Sequence, residues 1–431
     1  MLEVRLVSSL EKVGLGKDPS SFKEEMLLSA FRGENISFQI AFRNESAGKE
    51  AQVRISEITE TVIEREEDKK GAEYVPEVRI RQVLPVMCRC SCNPEAVDED
   101  YLFTDARMAP DLLRDLKGEK VPLTDQWQSL WVDICPGKQE RAGLYRITFQ
   151  FREEDGTQVE CTAKIKVIDR ELPPLPILHT EWFHCDGIVD YYGVEAFSEE
   201  FWRIFRNFIS VYVKRGGNMI YVPVLTPPLD TEAGRERTTI QLVRIERREG
   251  DYRFDFANLE RFLEICQSEG IRQFEICHLF TQWGATAAPK VVTWENGVCR
   301  KIFGWETSSD DPEYLRFLGE LIPALKGFLD ERGLLKRTYF HISDEPNLTS
   351  SQYRTAQGAV RSLLEGCTII EAVSEYEYYE KGLVDIPVCA TNYIEPFLEK
   401  RPPVLWSYYC CGQTMEVPNR FISMPSWRNR I

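Results

Sequence analysis

The sequence predicts a mixed α/β protein: an N-terminal antiparallel β-sandwich over 1–170, then a (β/α)8-type TIM barrel over 177–431. Three observations carry this reading. Strands of period two crowd the first part, a proline-rich break spans 171–176, and strand–helix alternation fills the remainder. Serial βα units imply a parallel sheet flanked by helices.

Within the first part, Ile36-Ser37-Phe38-Gln39-Ile40-Ala41-Phe42 alternates as a half-buried strand should. Residues 127–134 do the same. A hairpin follows: 145–151, a turn at Asp155-Gly156, then 159–167. Several such strands separated by turns make a sandwich. This part contains no His, and a structural or ligand-adjacent role is expected of it. Glu171-Leu172-Pro173-Pro174-Leu175-Pro176 reads as a linker, because proline denies both helix and central strand and stiffens the junction.

Beyond the linker, strand candidates are 178–183, 219–225, 273–279, 338–342, 368–373, 388–391 and 405–409. Ser198 is placed to cap a helix with the stripe Phe201, Phe205, Phe208, Tyr212. A second helix, 256–268, ends at Gly270; a third, 312–331, begins on Pro312 and ends at Gly333. The absence of Gly-x-Gly-x-x-Gly after the first strand favours a barrel over a dinucleotide fold. Only seven strand candidates precede Ile431, so the barrel is expected to lack its eighth strand and to be C-terminally incomplete.

Composition narrows the function. Hydrophobic residues at 43% and charged residues at 28% fit a globular chain with a real core. No run reaches the roughly 18 apolar residues of a membrane span. Met1-Leu2-Glu3-Val4-Arg5-Leu6 carries charges where a signal peptide's apolar core would sit, and 13 Cys fit free thiols, so a cytoplasmic location is expected. A net charge of −16 disfavours nucleic acid as a partner. Cys88-Arg89-Cys90-Ser91-Cys92 has C-x-C-x-C spacing without a second pair, and Cys410-Cys411 reads as strand packing. No metal and no cofactor is therefore expected. Seven of the nine Trp follow the linker, where rings serve either a core or a sugar platform.

In a (β/α) barrel the active site forms at the C-terminal strand ends. All four His, His179, His184, His278 and His341, lie in or beside strand candidates. A lone strand His is more often a hydrogen-bonded core residue, but His184, His278 and His341 share one rim. No H-x-H or H-E-x-x-H spacing supports zinc. The sharpest signal is Tyr339-Phe340-His341-Ile342-Ser343-Asp344-Glu345-Pro346-Asn347, an apolar strand running into paired carboxylates. In an arbitrary loop such a pair would be a solvated helix cap; at the end of the fourth strand it reads as catalytic.

Glycoside hydrolysis needs a proton donor for the leaving oxygen and stabilisation of an oxocarbenium-like centre. Retaining enzymes place a second carboxylate about 5 Å away. The seventh strand candidate, running through Trp406, Tyr408 and Tyr409 to Gln413, offers no acid. A substrate 2-acetamido oxygen can attack instead, with Asp344 accepting the acetamido N–H and Glu345 exchanging the proton. Glu371 and Glu375 on the fifth strand stand as rival nucleophiles. Trp182, Trp283, Trp305 and Trp406 are candidate sugar platforms. Only one of Tyr408 and Tyr409 can face the barrel; Tyr408 would donate to the acetamido oxygen. Asn392, Tyr393 and Asp230 are candidate hydroxyl ligands, each otherwise a capping or packing residue.

These residues resemble glycoside hydrolase family 123 and the bacterial relatives described as domain of unknown function 4091. Besides Asp344-Glu345, the matching blocks are Thr180-Glu181-Trp182-Phe183-His184-Cys185-Asp186, Leu225-Thr226-Pro227-Pro228-Leu229-Asp230-Thr231, Trp283-Gly284 with Ala288-Pro289-Lys290, and Asn419-Arg420-Phe421 with Met424-Pro425. The resemblance implies an exo-acting β-N-acetylgalactosaminidase or β-N-acetylhexosaminidase with a substrate-assisted retaining mechanism. By position, Asp344 matches the acetamido-orienting Asp and Glu345 the acid/base. It also implies further chain beyond Ile431. A conventional retaining glycosidase on another sugar, or a non-catalytic carbohydrate-binding barrel, stand as alternatives. The residues leave open the sugar epimer and anomer, the aglycone and the oligomeric state.

Overall fold

The computed structural model describes residues 2–408 apart from 17, 20–25, 46–48, 62–75, 89–102, 104, 117, 119, 230 and 347–350; within these, the side chains of 49, 55–61 and 392 are not described. The chain separates into two compact units at Pro174 and Leu175.

Ten strands build the first unit: β1 (Leu2–Ser8), β2 (Leu27–Arg32), β3 (Ile36–Asn44), β4 (Lys49–Thr61), β5 (Glu77–Cys88), β6 (Arg107–Asp115), β7 (Lys120–Leu123), β8 (Gln128–Cys135), β9 (Gly143–Glu153) and β10 (Gln158–Glu171). They form two five-stranded sheets, ordered β1-β3-β8-β5-β6 and β2-β10-β9-β4-β7. Alternation explains the packing: in β9 Tyr145, Ile147, Phe149 and Phe151 are buried while Arg146 and Arg152 are exposed. Phe149 meets Phe38 of the other sheet edge-on at 5.9 Å, and one apolar core joins both sheets. The unit is a sandwich, with one departure from a fully antiparallel arrangement: β2 pairs parallel to β10.

The second unit contains α1 (Asp186–Tyr192), α2 (Glu199–Lys214), β11 (Met219–Val222), β12 (Arg244–Arg248), β13 (Asp251–Asp255), α3 (Ala257–Glu269), β14 (Gln273–Ile276), β15 (Val291–Glu295), β16 (Val298–Phe303), α4 (Pro312–Glu331), β17 (Thr338–Phe340), α5 (Ser351–Arg361), β18 (Thr368–Val373), α6 (Glu377–Glu380), β19 (Ile386–Ala390), α7 (Glu395–Lys400) and β20 (Trp406–Tyr408). Six strands form one parallel sheet in the order β11-β14-β17-β18-β19-β20. Among the described residues this is a half-barrel.

Local chemistry sets the helix ends. Ser198 Oγ accepts the Phe201 amide at 3.2 Å. Gly270 ends α3 at φ 119°, a left-handed conformation that glycine takes readily. Asp311 caps α4 by accepting from Glu313 and Tyr314, with Pro312 in the first turn. Phe208 is 41% exposed, so the buried stripe of α2 runs instead through Phe201, Trp202, Ile204, Phe205 and Ile209.

Two expectations are corrected. Residues 178–183 form no strand. Side chains take over part of their edge: Asn218 Oδ1 accepts the His179 amide at 2.9 Å, and the Tyr212 hydroxyl accepts the Glu181 amide at 2.9 Å, while His179 O accepts the backbone amides of Asn218 and Met219. Second, β13-β12-β15-β16 form a separate four-stranded sheet where no strands were assigned. Its β15–β16 hairpin turns at Asn296-Gly297, both at positive φ. No described helix is long and apolar enough to cross a membrane.

Candidate active site

The parallel register brings Tyr221 of β11 level with Glu275 of β14, and Glu275 level with Tyr339 of β17. Each strand then continues past its last ladder pair, β14 into Cys277-His278 and β17 into His341. Buried aromatic rings gather there. His278 and His341 lie 4.4 Å apart between centroids, and Trp182 packs edge-on to both at 5.1 and 5.8 Å. The Tyr221 hydroxyl pairs with His278 Nδ1 at 2.9 Å. Burial holds His278 well below its ordinary pKa, and neighbouring His341 and His184 add to the effect.

His341 is in the opposite condition. Its Nε2 donates to Glu275 Oε2 at 3.0 Å, and its Nδ1 lies 3.5 Å from Glu371 Oε2. Burial disfavours its charge, but the two carboxylates outweigh that penalty and raise it to about 9. The two carboxylates therefore favour the protonated ring. Trp182 Nε1 donates to the same Glu275 oxygen at 3.1 Å. Glu371 Oε1 accepts the amides of Ile342 at 2.5 Å and Ser343 at 3.1 Å, and the Tyr353 hydroxyl at 3.4 Å. Burial pushes Glu371 upward, opposed by His341 and these amides.

The next two residues are Asp344 and Glu345. Asp344 is half-buried and Glu345 exposed, the latter at φ 41°. A non-glycine residue in that region stores strain and persists only where its surroundings fix it. They do so here. Ser343 Oγ donates to Thr281 O at 2.8 Å, and the Trp283 amide donates to Asp344 O at 2.8 Å. The Tyr408 hydroxyl donates to Glu345 Oε1 from β20. Two strand ends and a third strand therefore converge on one acid pair.

Of the sequence candidates, Trp182, His278 and His341 join the buried cluster, and half-buried His184 reaches it through a 5.9 Å contact with Tyr221. Trp283 and Tyr408 join the acid pair. Trp406 packs against Tyr339 at 5.0 Å. Tyr393 is 52% exposed in a single helical turn. The side chain of Asn392, and Asp230, Cys90, Cys92, Tyr409, Cys410, Cys411 and the block from Asn419 to Pro425 all lie outside the described residues. Of the rival nucleophiles, Glu371 is fully buried and Glu375 is exposed beside α6.

Glu275, Tyr221 and Tyr353 join the site without a local motif that marks them as site residues. Glu275 had a signal: a carboxylate inside Phe274-Glu275-Ile276-Cys277 must be paired if that strand is buried.

His278, His341 and Glu371 offer three ligand atoms within 4.8 Å of one another. The two imidazole rings lie 4.4 Å apart and tilted by 30°, and His278 Nε2, His341 Nδ1 and Glu371 Oε2 have no hydrogen-bond partner among the described residues. These residues offer two imidazole nitrogens and a carboxylate, and His341 also lies beside the Glu275 carboxylate.

An acid pair presented at the end of a parallel βα strand is an arrangement glycosidases use. The catalytic-domain model of glycoside hydrolase 123 matches residues 182–431, and the chain belongs to glycoside hydrolase family 123. It is similar in fold to a family 123 glycoside hydrolase from Clostridium perfringens, whose structural analysis addressed glycolipid glycan hydrolysis. That match has 13% identity and a TM-score of 0.70, and covers 96% of this chain and 73% of that one. A Bacteroides ovatus GH5 xyloglucanase in complex with a XXXG heptasaccharide aligns over 100% of this chain and 99% of its own. Its identity is 8% and its TM-score 0.26, too slight a likeness to bear on the fold. No curated protein matches the sequence.

Proposed function

We propose that this glycosidase removes a terminal β-linked 2-acetamido-2-deoxy sugar, N-acetylgalactosamine or N-acetylglucosamine, with the acetamido oxygen as nucleophile. One observation carries the reading. Among the described residues, the carboxylates bonded to the acid-pair loop or its floor, Glu371 and Glu275, are both buried and held by other partners. Neither is open to an anomeric carbon. Glu345 is open to solvent, as an acid/base must be to meet the leaving oxygen and then water.

In this mechanism Asp344 accepts the acetamido N–H and turns the carbonyl oxygen toward the anomeric carbon. Glu345 gives its proton to the departing oxygen as the C–O bond breaks and an oxazoline forms. It then takes a proton from the water that opens that ring, which restores the sugar with retained configuration. Tyr408 holds the Glu345 carboxyl in line. Exposed Trp283 and half-buried Trp182 offer faces to the sugar. The reading takes the half-barrel as part of a (β/α)8 barrel acting in the cytoplasm.

The test uses 4-nitrophenyl and phenyl 2-acetamido-2-deoxy-β-glycosides of both epimers. Glu345→Gln is expected to lower kcat on the phenyl substrate by roughly 10²–10⁴-fold. A thiazoline analogue of the oxazoline is expected to inhibit competitively. Undiminished turnover by Glu345→Gln, or a covalent glycosyl adduct trapped on a protein carboxylate, refutes the mechanism.

A further inference from the structure

We infer that Glu371 is a positioning residue for the acid pair, acting through the two backbone amides that immediately precede Asp344 and through His341. The inference rests on the reading of Asp344 and Glu345 given above.

Four observations carry it. Glu371 is fully buried in the strand Thr368-Ile369-Ile370-Glu371-Ala372-Val373, between apolar Ile369-Ile370 and Ala372-Val373. A buried carboxylate is costly, and an apolar residue of similar volume would pack there at less expense. Second, Oε1 accepts the amides of Ile342 and Ser343, the two links between His341 and Asp344. These amides lie beyond the last ladder pair of β17, which ends at Phe340 with Ile369. The carboxylate replaces the strand partner they have lost. Third, the loop they lead into reaches positive φ at Glu345, a conformation its surroundings must hold. Fourth, Oε2 faces His341 Nδ1, and His341 Nε2 continues to Glu275 and so to Trp182. A buried path of hydrogen bonds, with one 3.5 Å ion-pair contact between His341 Nδ1 and Glu371 Oε2, thus runs from a half-buried ring of the floor to the backbone of the acid pair. A shift of the loop would break the amide bonds to Glu371 and disturb that buried contact.

Glu371 touches no reacting atom. Its effect falls on where Glu345 meets the leaving oxygen, and a small displacement of a general acid lowers rate steeply. This separates positioning from plain structural support. A misplaced acid matters most when the leaving group needs a proton and least when it departs unaided.

The experiment compares Glu371→Gln and Glu371→Ala with the unaltered enzyme on 2,4-dinitrophenyl, 4-nitrophenyl and phenyl 2-acetamido-2-deoxy-β-glycosides, with thermal melting alongside. Gln keeps the volume and an oxygen that can accept the amides but removes the charge facing His341. The expected result is a loss of about 100-fold in kcat for the phenyl substrate and under about 10-fold for the dinitrophenyl one in Glu371→Ala. KM should change little, and Glu371→Gln should fall between. An equal loss on all three substrates, or unchanged kcat in a folded variant, overturns the inference. So does failure of both variants to fold, which would assign Glu371 to folding alone. Glu345→Ala run in parallel separates the two claims. If it is active the acid assignment fails; if it is inactive while Glu371 variants match the unaltered enzyme, only the positioning role fails.

Discussion

His341 Nδ1 and Glu371 Oε2 lie 3.5 Å apart with side chains 2% and 0% exposed, and the second nitrogen of the same ring is held by a second buried carboxylate, Glu275. One positive charge thus sits between two buried acids. Removing it leaves both acids without their counter-ion. His341→Ala is expected to destabilise the protein by about 3–5 kcal/mol, the range for breaking a buried ion pair. Glu371→Gln together with His341→Ala should recover part of that loss, because one orphaned charge is gone. Urea denaturation of the two variants measures the difference; equal midpoints would show that Glu371 carries no charge in the native state.

The same network sets a pH dependence. His341 faces Glu275 and Glu371, with neutral His278, Tyr221 and Trp182 packed around it. Its pKa rises from an ordinary 6.5 to about 9 in the folded chain, so folding favours the protonated form. The stabilisation is full below about 6.5 and is lost as pH rises through about 9. Melting temperature should fall between pH 7 and 10, and by less in His341→Gln. Parallel alkaline losses in both proteins would refute the assignment.

The sequence made the acid pair legible because an apolar strand running into two carboxylates is a local pattern. Ser198, Gly270 and Pro312 marked helix ends for the same reason: caps are chemistry within a few residues. Glu371 was visible as an acid in a strand but read as a rival nucleophile, because its burial depends on which strands lie beside it. Glu275 was missed for the same cause. The β15–β16 hairpin carried an Asn296-Gly297 signal that charged flanks such as Glu295 and Arg300 obscured. The segment 178–183 misled because it alternates like a strand, while its edge bonds go to Asn218 and Tyr212, more than thirty residues away.

Tyr408 reaches Glu345 across the site from the last described strand. Tyr408→Phe removes only a hydroxyl on a half-exposed ring, so stability should change by less than about 0.5 kcal/mol. Loss of one hydrogen bond to Glu345, the proposed acid/base, should lower kcat by about 10-fold or less. Steady-state kinetics on a phenyl glycoside reads this out; a change confined to KM would place Tyr408 on the substrate instead.

Trp283 is 63% exposed and sits at φ 61°, where a bulky residue is strained. Its amide is tied to Asp344 O, so the backbone that aims the ring is the one that frames the acid pair. An exposed ring gains nothing from burial in the free enzyme, yet the loop tolerates its strain. A sugar face covering roughly 60 Å² of that ring would contribute about 1.5 kcal/mol at ~25 cal/mol per Å². Trp283→Ala should therefore raise KM or an inhibitor's Kd about 10-fold while melting temperature stays nearly constant, because the amide bond to Asp344 survives the substitution. Trp283→Phe, which keeps a smaller ring, should recover part of the affinity. Inhibitor binding by calorimetry distinguishes the outcomes: unchanged affinity in both variants would mean that the ring faces solvent and the strain serves only to place the amide against Asp344.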